Sequence, residues 1–237
     1  MMKKTSWLVL VVGLFLGAAC TQTVEAPAET EEAPEQAVAL PEGSSTDDWV
    51  SIYDGETLAG WHPLTTAPDL GGKWEVVNGV IEGDQDPPGK GGFLVTDQKY
   101  RDFVVDMEVN LDYPTDSGVF LRMGEDGKSH QVTLDNVDDG EFGRIYLPWT
   151  QDTVFENPTG KQFFKQGEWN KVRVQIEGEP ASILFWLNDE LVTDFQHTAE
   201  TTQGVPAEGF IAIQVHPGER WKEGNKVRFR NIRVKEL

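Results

Sequence analysis

The chain has 237 residues, 38% of them apolar, and its 40 acidic and 20 basic residues give a net charge of −20. Eight tryptophans and twelve phenylalanines are enough for a globular domain with an aromatic-rich core. The strong negative charge argues against a nucleic-acid partner, because such binding depends on neutralising phosphates with basic side chains.

The first twenty residues have the pattern of a secretory signal. Two lysines precede an apolar run over residues 7–16, which is shorter than the roughly 20 residues of a membrane span, and small residues then lead to Cys20. Cys20 is the only cysteine, and its surroundings resemble a bacterial lipobox in which Gly17 replaces the usual leucine. We therefore expect residues 1–20 to be a lipoprotein-type signal peptide that ends at a lipidated Cys20. The alternative is an ordinary signal cut near Ala19.

Residues 21–48 contain eight acidic residues and three prolines, with no lysine or arginine. Such a stretch cannot bury enough apolar surface to offset the entropy of ordering it, so it is predicted to be a disordered linker. Together with the signal, this predicts an exported, membrane-anchored lipoprotein whose domain is held away from the membrane, on the periplasmic face or at the cell surface.

Residues 49–237 show a two-residue alternation of apolar and polar side chains and no convincing amphipathic helix. In residues 102–111 the apolar positions share one face, and Asp106 and Glu108 share the other. Residues 181–195 resemble a hairpin that turns at Asn188-Asp189. Short strands separated by frequent turns predict an all-β domain, an antiparallel two-sheet β-sandwich.

Eight stretches occur together in the order known from one family. They are WVSIYDGETLAGWH, GKWEVVNGVIEGD, GGFLVTDQKYRDFVVDMEVNL, DSGVFLRM, GEWNKVRVQIEG, LFWLNDELVTDF, GFIAIQVHPG and VRFRNIRVKEL. Through them, residues 49–237 resemble the 3-keto-disaccharide hydrolase domain family. The resemblance implies a concanavalin-like jelly roll in which the concave face of one sheet binds carbohydrate. It also implies activity on 3-keto-glycosides, which a partner sugar 3-oxidoreductase produces, with members described as hydrolases, 1,2-lyases or hydratases.

A ketone at C3 makes the hydrogen on C2 acidic, so a base can remove it, an enolate forms and the group on C1 departs. Such a site needs a base near C2, donors for the enolate oxygen, and an acid or a metal near the leaving oxygen. The resulting first hypothesis is an enzyme that cleaves 3-keto-glycosides by elimination, with hydration giving net hydrolysis. The alternative is a non-catalytic carbohydrate-binding lipoprotein on the same fold.

Three residues are the predicted catalytic candidates. Arg122 shares strand parity with Phe120 and could stabilise an enolate, or it could be a paired surface charge. His130 stands where many family members carry a glutamate, so it could be the base; otherwise the activity is lost, or Gln131 occupies the site instead. His216 is opposite in parity to the core-facing residues of its strand and suits acid–base work or sugar recognition.

The predicted substrate-binding residues are polar or aromatic side chains at outward or loop positions. Gln214 shares the face of His216, and Arg228 and Arg230 are expected to extend that face. Glu108 lies on an outward face, and an aromatic ring suits stacking on a sugar. The set comprises Gln214, Glu108, Tyr146, Trp149, Arg228 and Arg230.

The cofactor is left open by the sequence. No metal-binding motif such as HxH, HExxH or CxxC occurs in the chain. Asp135, Asn136, Asp138 and Asp139 offer the oxygen ligands that calcium takes, although a run of acids in an acidic domain is most often a solvated turn.

Overall fold

The computed structural model of the chain describes residues 48–66, 70–202 and 204–237. The predicted signal peptide, the lipidation site at Cys20 and the linker up to residue 47 lie outside the described residues. None of the helices in the described part has the length and hydropathy needed to cross a membrane.

The alternating segments form strands that pair antiparallel into two sheets. The front sheet has the order β10-β9-β8-β7-β14-β5-β2. Its strands are β2 (Trp61–Pro63), β5 (Gly92–Tyr100), β7 (Thr115–Met123), β8 (His130–Asn136), β9 (Phe142–Leu147), β10 (Asp152–Phe155) and β14 (Gly209–Val215).

The back sheet has the order β13-β12-β11-β6-β15-β4-β3, and β1 pairs with β15. Its strands are β1 (Val50–Ser51), β3 (Lys73–Val77), β4 (Val80–Asp84), β6 (Phe103–Leu111), β11 (Asn170–Glu177), β12 (Ser182–Leu187), β13 (Glu190–Gln196) and β15 (Val227–Glu236). A short 3-10 helix (Gly160–Phe163) follows β10. The predicted all-β sandwich of two antiparallel sheets is confirmed.

The core lies between the inner faces of the two sheets. The five apolar residues of β6 that share parity are all buried there, against residues such as Val119 and Leu121 of β7 and Ile213 of β14. Burial of this kind stabilises a fold by about 25 cal/mol per Å² of apolar surface removed from water, so the alternation of each strand determines which face turns inward.

The outer face of the front sheet is divided into an apolar part and a polar part. Phe120, Met123 and Phe210 form a second buried cluster on this face, and Leu64 packs over it from the segment after β2. The rest of the face carries polar side chains and lies beside this cluster, so only part of the front sheet is open to a ligand.

A β-bulge at Arg122 changes the parity of β7. Between Phe120 and Met123, β7 has one more residue than the paired part of β14, and Arg122 takes a positive φ of 52°. The sequence predicts that Arg122 shares the face of Phe120, and this prediction is wrong. Because of the bulge, the side chain of Arg122 turns instead to Asp102, the residue before β6.

Candidate active site

The polar part of the front sheet forms the floor of a cavity of about 520 Å³, which we call the groove. This volume is in the range of small-molecule sites, about 300–1,000 Å³. The strands β5, β7, β8, β9 and β14 and the loops after β9 and β14 supply its walls. Its polar lining residues are Asp116, Gln131, Asp135, Arg144, Tyr146, Gln151, Gln214, His216 and Arg220.

Strand alternation places the floor residues. On β8, Gln131 and Asp135 face the groove, while His130, Val132 and Leu134 face the core. The absence of a side chain on Gly118 leaves space for Gln131, because a Cβ there would lie 2.6 Å from its Nε2. Local sequence therefore builds the floor from amides and carboxyls.

Asp116 and Asp135 form a buried carboxyl pair. They are direct cross-strand partners on β7 and β8, both side chains are buried and both line the groove. Burial, followed by the charge of Asp116, raises the pKa of Asp135 well above its usual range. Two carboxyls this close cannot both ionise easily, so the pair retains a proton that it can donate or exchange.

Two arginines hold the carboxyl pair from opposite sides. Nη2 of Arg144 donates to Asp135 at 2.9 Å, and Nη1 of Arg220 lies 3.2 Å from Asp116. Arg220 also reaches Asp139 at 2.8 Å, so the loop after β14 is tied across to the turn between β8 and β9. The arginines offset part of the repulsion within the pair and fix its orientation.

Neutral polar groups surround the carboxyls. Nε2 of Gln131 lies 3.5 Å from Oε1 of Gln214, and both amides face the cavity. The backbone N–H of His216 donates to the backbone carbonyl oxygen of Asp116, and His216 lines the groove. The amide and imidazole groups supply donors and acceptors of the kind that bind sugar hydroxyls or a developing oxyanion.

Three of the residues predicted from the sequence come together in the groove, namely Gln214, His216 and Tyr146. Trp149 lies in the turn after β9, near Gly204, and does not line the cavity.

His130 and Arg122 lie away from the groove. The ring of His130 faces the interior, 4.2 Å from the ring of His197, and burial, followed by the charges of His197 and Arg122, lowers its pKa to about 2. Arg122 donates to Asp102 and to the carbonyl oxygens of Arg101 and Gly178. Both side chains are turned from the groove, His130 by strand parity and Arg122 by the bulge.

Glu108, Arg228 and Arg230 belong to the back sheet. Arg230 donates to Glu108 at 2.6 Å, and Arg228 binds Glu82 and Asp112. The expectation that Arg228 and Arg230 extend the face of Gln214 is corrected, because the chain crosses from the front sheet to the back sheet between β14 and β15.

The four acidic-turn residues considered as calcium ligands separate in the structure. Asp135 faces the groove, the amide of Asn136 donates to backbone oxygens, Asp138 accepts from Tyr113, and Asp139 pairs with Arg220. Within the described ranges, no group of three or more His, Cys, Asp and Glu is placed to hold a metal ion.

Gln131, the alternative to His130, lies in the groove, whereas Asp116, Arg144 and Arg220 are not among the candidates predicted from the sequence. Asp116 has the same parity as Gly118 and Phe120, so the alternation of β7 was a usable signal for it. Arg144 likewise alternates with Ile145 on β9. Arg220 lies in the loop after β14, where side chains do not alternate between two faces. Its place in the groove therefore could not be predicted from a sequence pattern.

Comparisons with known proteins agree with this architecture. The family described as the 3-keto-alpha-glucoside-1,2-lyase-like domain matches residues 48–235. A Bacteroides thetaiotaomicron protein named 3-keto-disaccharide hydrolase is 26% identical over 239 residues, covering 81% of this chain and 79% of that protein.

Solved structures share the fold. A Parabacteroides distasonis protein, provisionally described as a glycosyl hydrolase, has a TM-score of 0.57 at 22% identity and covers 81% of this chain and 94% of its own. The carbohydrate-binding module CBM66 from Bacillus subtilis has a TM-score of 0.56 at 15% identity, over 75% and 96% of the two chains. A Bacillus subtilis protein with a galectin-like fold has a TM-score of 0.54 at 9% identity, over 76% and 90%. These similarities show that the two-sheet β-sandwich fold is shared.

Proposed function

Since the chain belongs to the 3-keto-alpha-glucoside-1,2-lyase-like domain family, we propose that it is an exported enzyme that cleaves 3-keto-glycosides by elimination across C1 and C2. The observation that carries the proposal is the carboxyl pair of Asp116 and Asp135, buried at the floor of a cavity of small-molecule size. Such a pair can hold one carboxylate and one carboxylic acid at neutral pH, which are the base and the acid that elimination requires.

The reaction begins with removal of the C2 proton. The ionised carboxyl of the pair accepts it, and the electron pair of the C2–H bond moves to place negative charge on the C3 ketone oxygen. The side-chain amides of Gln131 and Gln214 and the ring of His216 are the nearby groups that could donate to this oxygen. Donors fixed before the reaction stabilise such a charge more effectively than reorganising water does.

The enolate then re-forms the ketone, a double bond forms between C1 and C2, and the C1–O bond breaks. The carboxylic acid of the pair donates its proton to the departing oxygen, which leaves as an alcohol. Water can add to the enone at C1 in a second step, which makes the net reaction a hydrolysis. Arg144 and Arg220 keep the two carboxyls in place throughout.

The substrate must arrive already oxidised at C3. A glycoside without the ketone has no acidic C2 hydrogen, and the proposed mechanism gives it no route to cleavage. We therefore infer that a sugar 3-oxidoreductase acts upstream of this protein.

The test compares a 3-keto-glucoside with its parent glucoside, each incubated with the full chain. Absorbance of the enone and release of the aglycone are followed together. We expect turnover of the keto sugar alone and its loss in Asp135→Asn, with Asp126→Asn as an exposed control. Equal cleavage of the parent glucoside would contradict the elimination mechanism.

The second candidate is a carbohydrate-binding protein without catalysis. It is favoured by one observation: His130, at the position where the family motif carries a glutamate, faces the core. Binding of both sugars with turnover of neither would support this alternative.

We also propose that Cys20 carries the lipid that anchors the protein. In a bacterial host, the wild-type protein is expected in the membrane fraction, and a Cys20→Ser variant in the soluble fraction. Equal membrane recovery of both forms would reject the anchor.

A further inference from the structure

A second cavity, of about 580 Å³, lies on the outer face of the back sheet and shares no residue with the groove. It is lined from β6, β11 and β15 and from Trp49, the residue before β1. We call it the back-sheet site. Asp106 and Glu108, which alternate with the core-facing residues of β6, both point into it.

Two tryptophan–arginine–carboxylate units are adjacent here. In the first, Asp106 accepts hydrogen bonds from Arg173 and Arg233 at 2.5–3.3 Å, and both guanidinium groups lie over the ring of Trp49.

In the second unit, Glu108 accepts from Nε of Arg230 at 2.6 Å, and this guanidinium lies 3.9 Å from the ring centroid of Trp169. The carboxylates and the rings together hold the arginines, so their geometry is established before any ligand binds.

The back-sheet site has an excess of hydrogen-bond donors. In the described part of the chain, no hydrogen bond uses Nη1 of Arg173 or Arg233, either Nη of Arg230, or the indole N–H of Trp49 or Trp169. Both oxygens of Asp106 accept from arginines, and Oε2 of Glu108 accepts from Arg230 and Asn231, so among these carboxylate oxygens Oε1 of Glu108 is the one with no such bond to a described residue. A ligand that satisfies these donors must therefore be rich in acceptors.

The local charge points to the same kind of ligand. The charged residues that line the cavity are balanced, with Lys171, Arg173 and Arg233 against Asp106, Glu108 and Asp189. Arg230, paired with Glu108 beside the cavity, adds one positive charge, although the chain as a whole carries −20. The side chain of Lys171 is 67% exposed, and its Nζ donates to Asp189 at 3.2 Å, so an anion would share this ammonium group with Asp189. A planar guanidinium group binds a carboxylate through two parallel hydrogen bonds, which a neutral hydroxyl cannot reproduce.

We propose that the back-sheet site binds an oligosaccharide that carries carboxylate groups, such as a chain of uronic acids. The carboxylates bind the free guanidinium N–H groups of Arg230 and Arg233, and the apolar face of a sugar ring packs on Trp49 or Trp169. Arg230, predicted from the sequence to bind substrate, then binds sugar on the face opposite the groove, and Glu108 holds its guanidinium group in place. This site would retain the enzyme on an acidic glycan while the groove remains free.

The test uses calorimetric titration of the full chain with three hexasaccharides: oligogalacturonate, its fully methyl-esterified form and cellohexaose. We expect the oligogalacturonate to bind at least tenfold more tightly than the other two, and its Kd to rise with salt because exposed charges are screened. Failure of the wild-type chain to bind oligogalacturonate, or equal binding of the methyl ester, would overturn the proposal.

Variants locate the binding. Trp169→Ala and Arg230→Gln are each expected to weaken binding at least tenfold while turnover of a 3-keto-glucoside is unchanged. Lys171→Gln, at an exposed position that the fold does not need, should weaken binding severalfold. Gln214→Ala in the groove and Lys128→Ala, at a partly exposed position outside both cavities, are controls expected to bind normally. Binding that survives the first three changes but is lost in Gln214→Ala would place the ligand in the groove and reject the back-sheet site.

Discussion

Asp116 and Asp135 lie directly opposite each other on β7 and β8, and both carboxyls end in the groove. Neither residue stands in a recognisable catalytic motif, and 18 positions separate them in the chain. The register of two antiparallel strands alone makes them neighbours. Their proximity determines how readily Asp135 holds a proton, and the predicted rate and pH dependence of turnover depend on that proton.

Replacing either carboxyl should abolish most turnover. Asp135→Asn and Asp116→Asn each keep the size of the side chain but cannot exchange a proton, so kcat/KM for a 3-keto-glucoside is expected to fall by about 10²–10⁴. Asp126→Asn, an exposed change outside the groove, should leave the rate unaltered. Near-wild-type turnover in Asp135→Asn would remove the carboxyl pair from the mechanism.

The pH profile should respond to Arg220. Burial and Asp116 raise the pKa of Asp135, while the positive charges of Arg144 and Arg220 lower it. Arg220→Gln is therefore expected to raise this pKa further and to move the alkaline limb of kcat/KM to higher pH. Asp139→Asn, which removes only the outer partner of Arg220, serves as the control and should shift the limb much less. A shift to lower pH in Arg220→Gln would contradict this electrostatic assignment.

Gly118→Ala should affect substrate binding through Gln131. The added Cβ would lie 2.6 Å from Nε2 of Gln131 and 3.0 Å from its Cγ, so the amide must move from the floor of the groove. We expect KM to rise severalfold, with some loss of folding stability because the Cβ would also lie 3.1 Å from the backbone oxygen of Val132. The double variant with Gln131→Ala should be no worse than Gln131→Ala alone, since both changes remove the same interaction. Fully additive effects would show that Gly118 acts in another way.

Arg122 is expected to contribute to stability rather than to catalysis. Its side chain is buried and donates to Asp102 and to two backbone carbonyls. Removing one partner of a buried ion pair costs about 3–5 kcal/mol, and because Asp102 is partly exposed we expect about 2–4 kcal/mol for Arg122→Leu in denaturant unfolding. Arg101→Gln is the control, since its side chain is 61% exposed. A variant of normal stability with reduced kcat would return Arg122 to the catalytic candidates.

The buried histidines should make stability fall in mild acid. The pKa of His130 is lowered to about 2 and that of His197 to about 4, mainly by burial. As the pH falls below about 6.5, the unfolded chain binds these protons before the folded chain does. This contribution is therefore fully present above pH 6.5. It is lost at up to about 1.4 kcal/mol per pH unit for each histidine, down to about pH 4 for His197.

The contribution of His197 to the free energy of unfolding can be measured by denaturant unfolding of His197→Gln at several pH values. Its stability should depend less on pH between 6.5 and 4 than that of the wild type. His62→Gln is the matched control, because His62 is exposed and bonded to Asp97. An unchanged slope in His197→Gln would show that His197 is not the titrating group.

The sequence by itself determined the architecture to a large extent. Apolar positions with a period of two in 102–111 and 209–218 can be buried together only on an extended strand, so the antiparallel sandwich and the inner face of each strand follow from local chemistry. The same reasoning placed Gln214 and His216 on one face, and both line the groove.

The tertiary structure alone decided which faces meet. Alternation states which residues share a face of a strand, but the sheet to which that strand belongs depends on long-range pairing. Glu108 and Arg230 thus lie behind the sandwich, with Gln214 in front. A single inserted residue in the ladder turned Arg122 inward. The carboxyl pair exists because backbone hydrogen bonds set one register between β7 and β8, and a shift of one residue would separate Asp116 from Asp135.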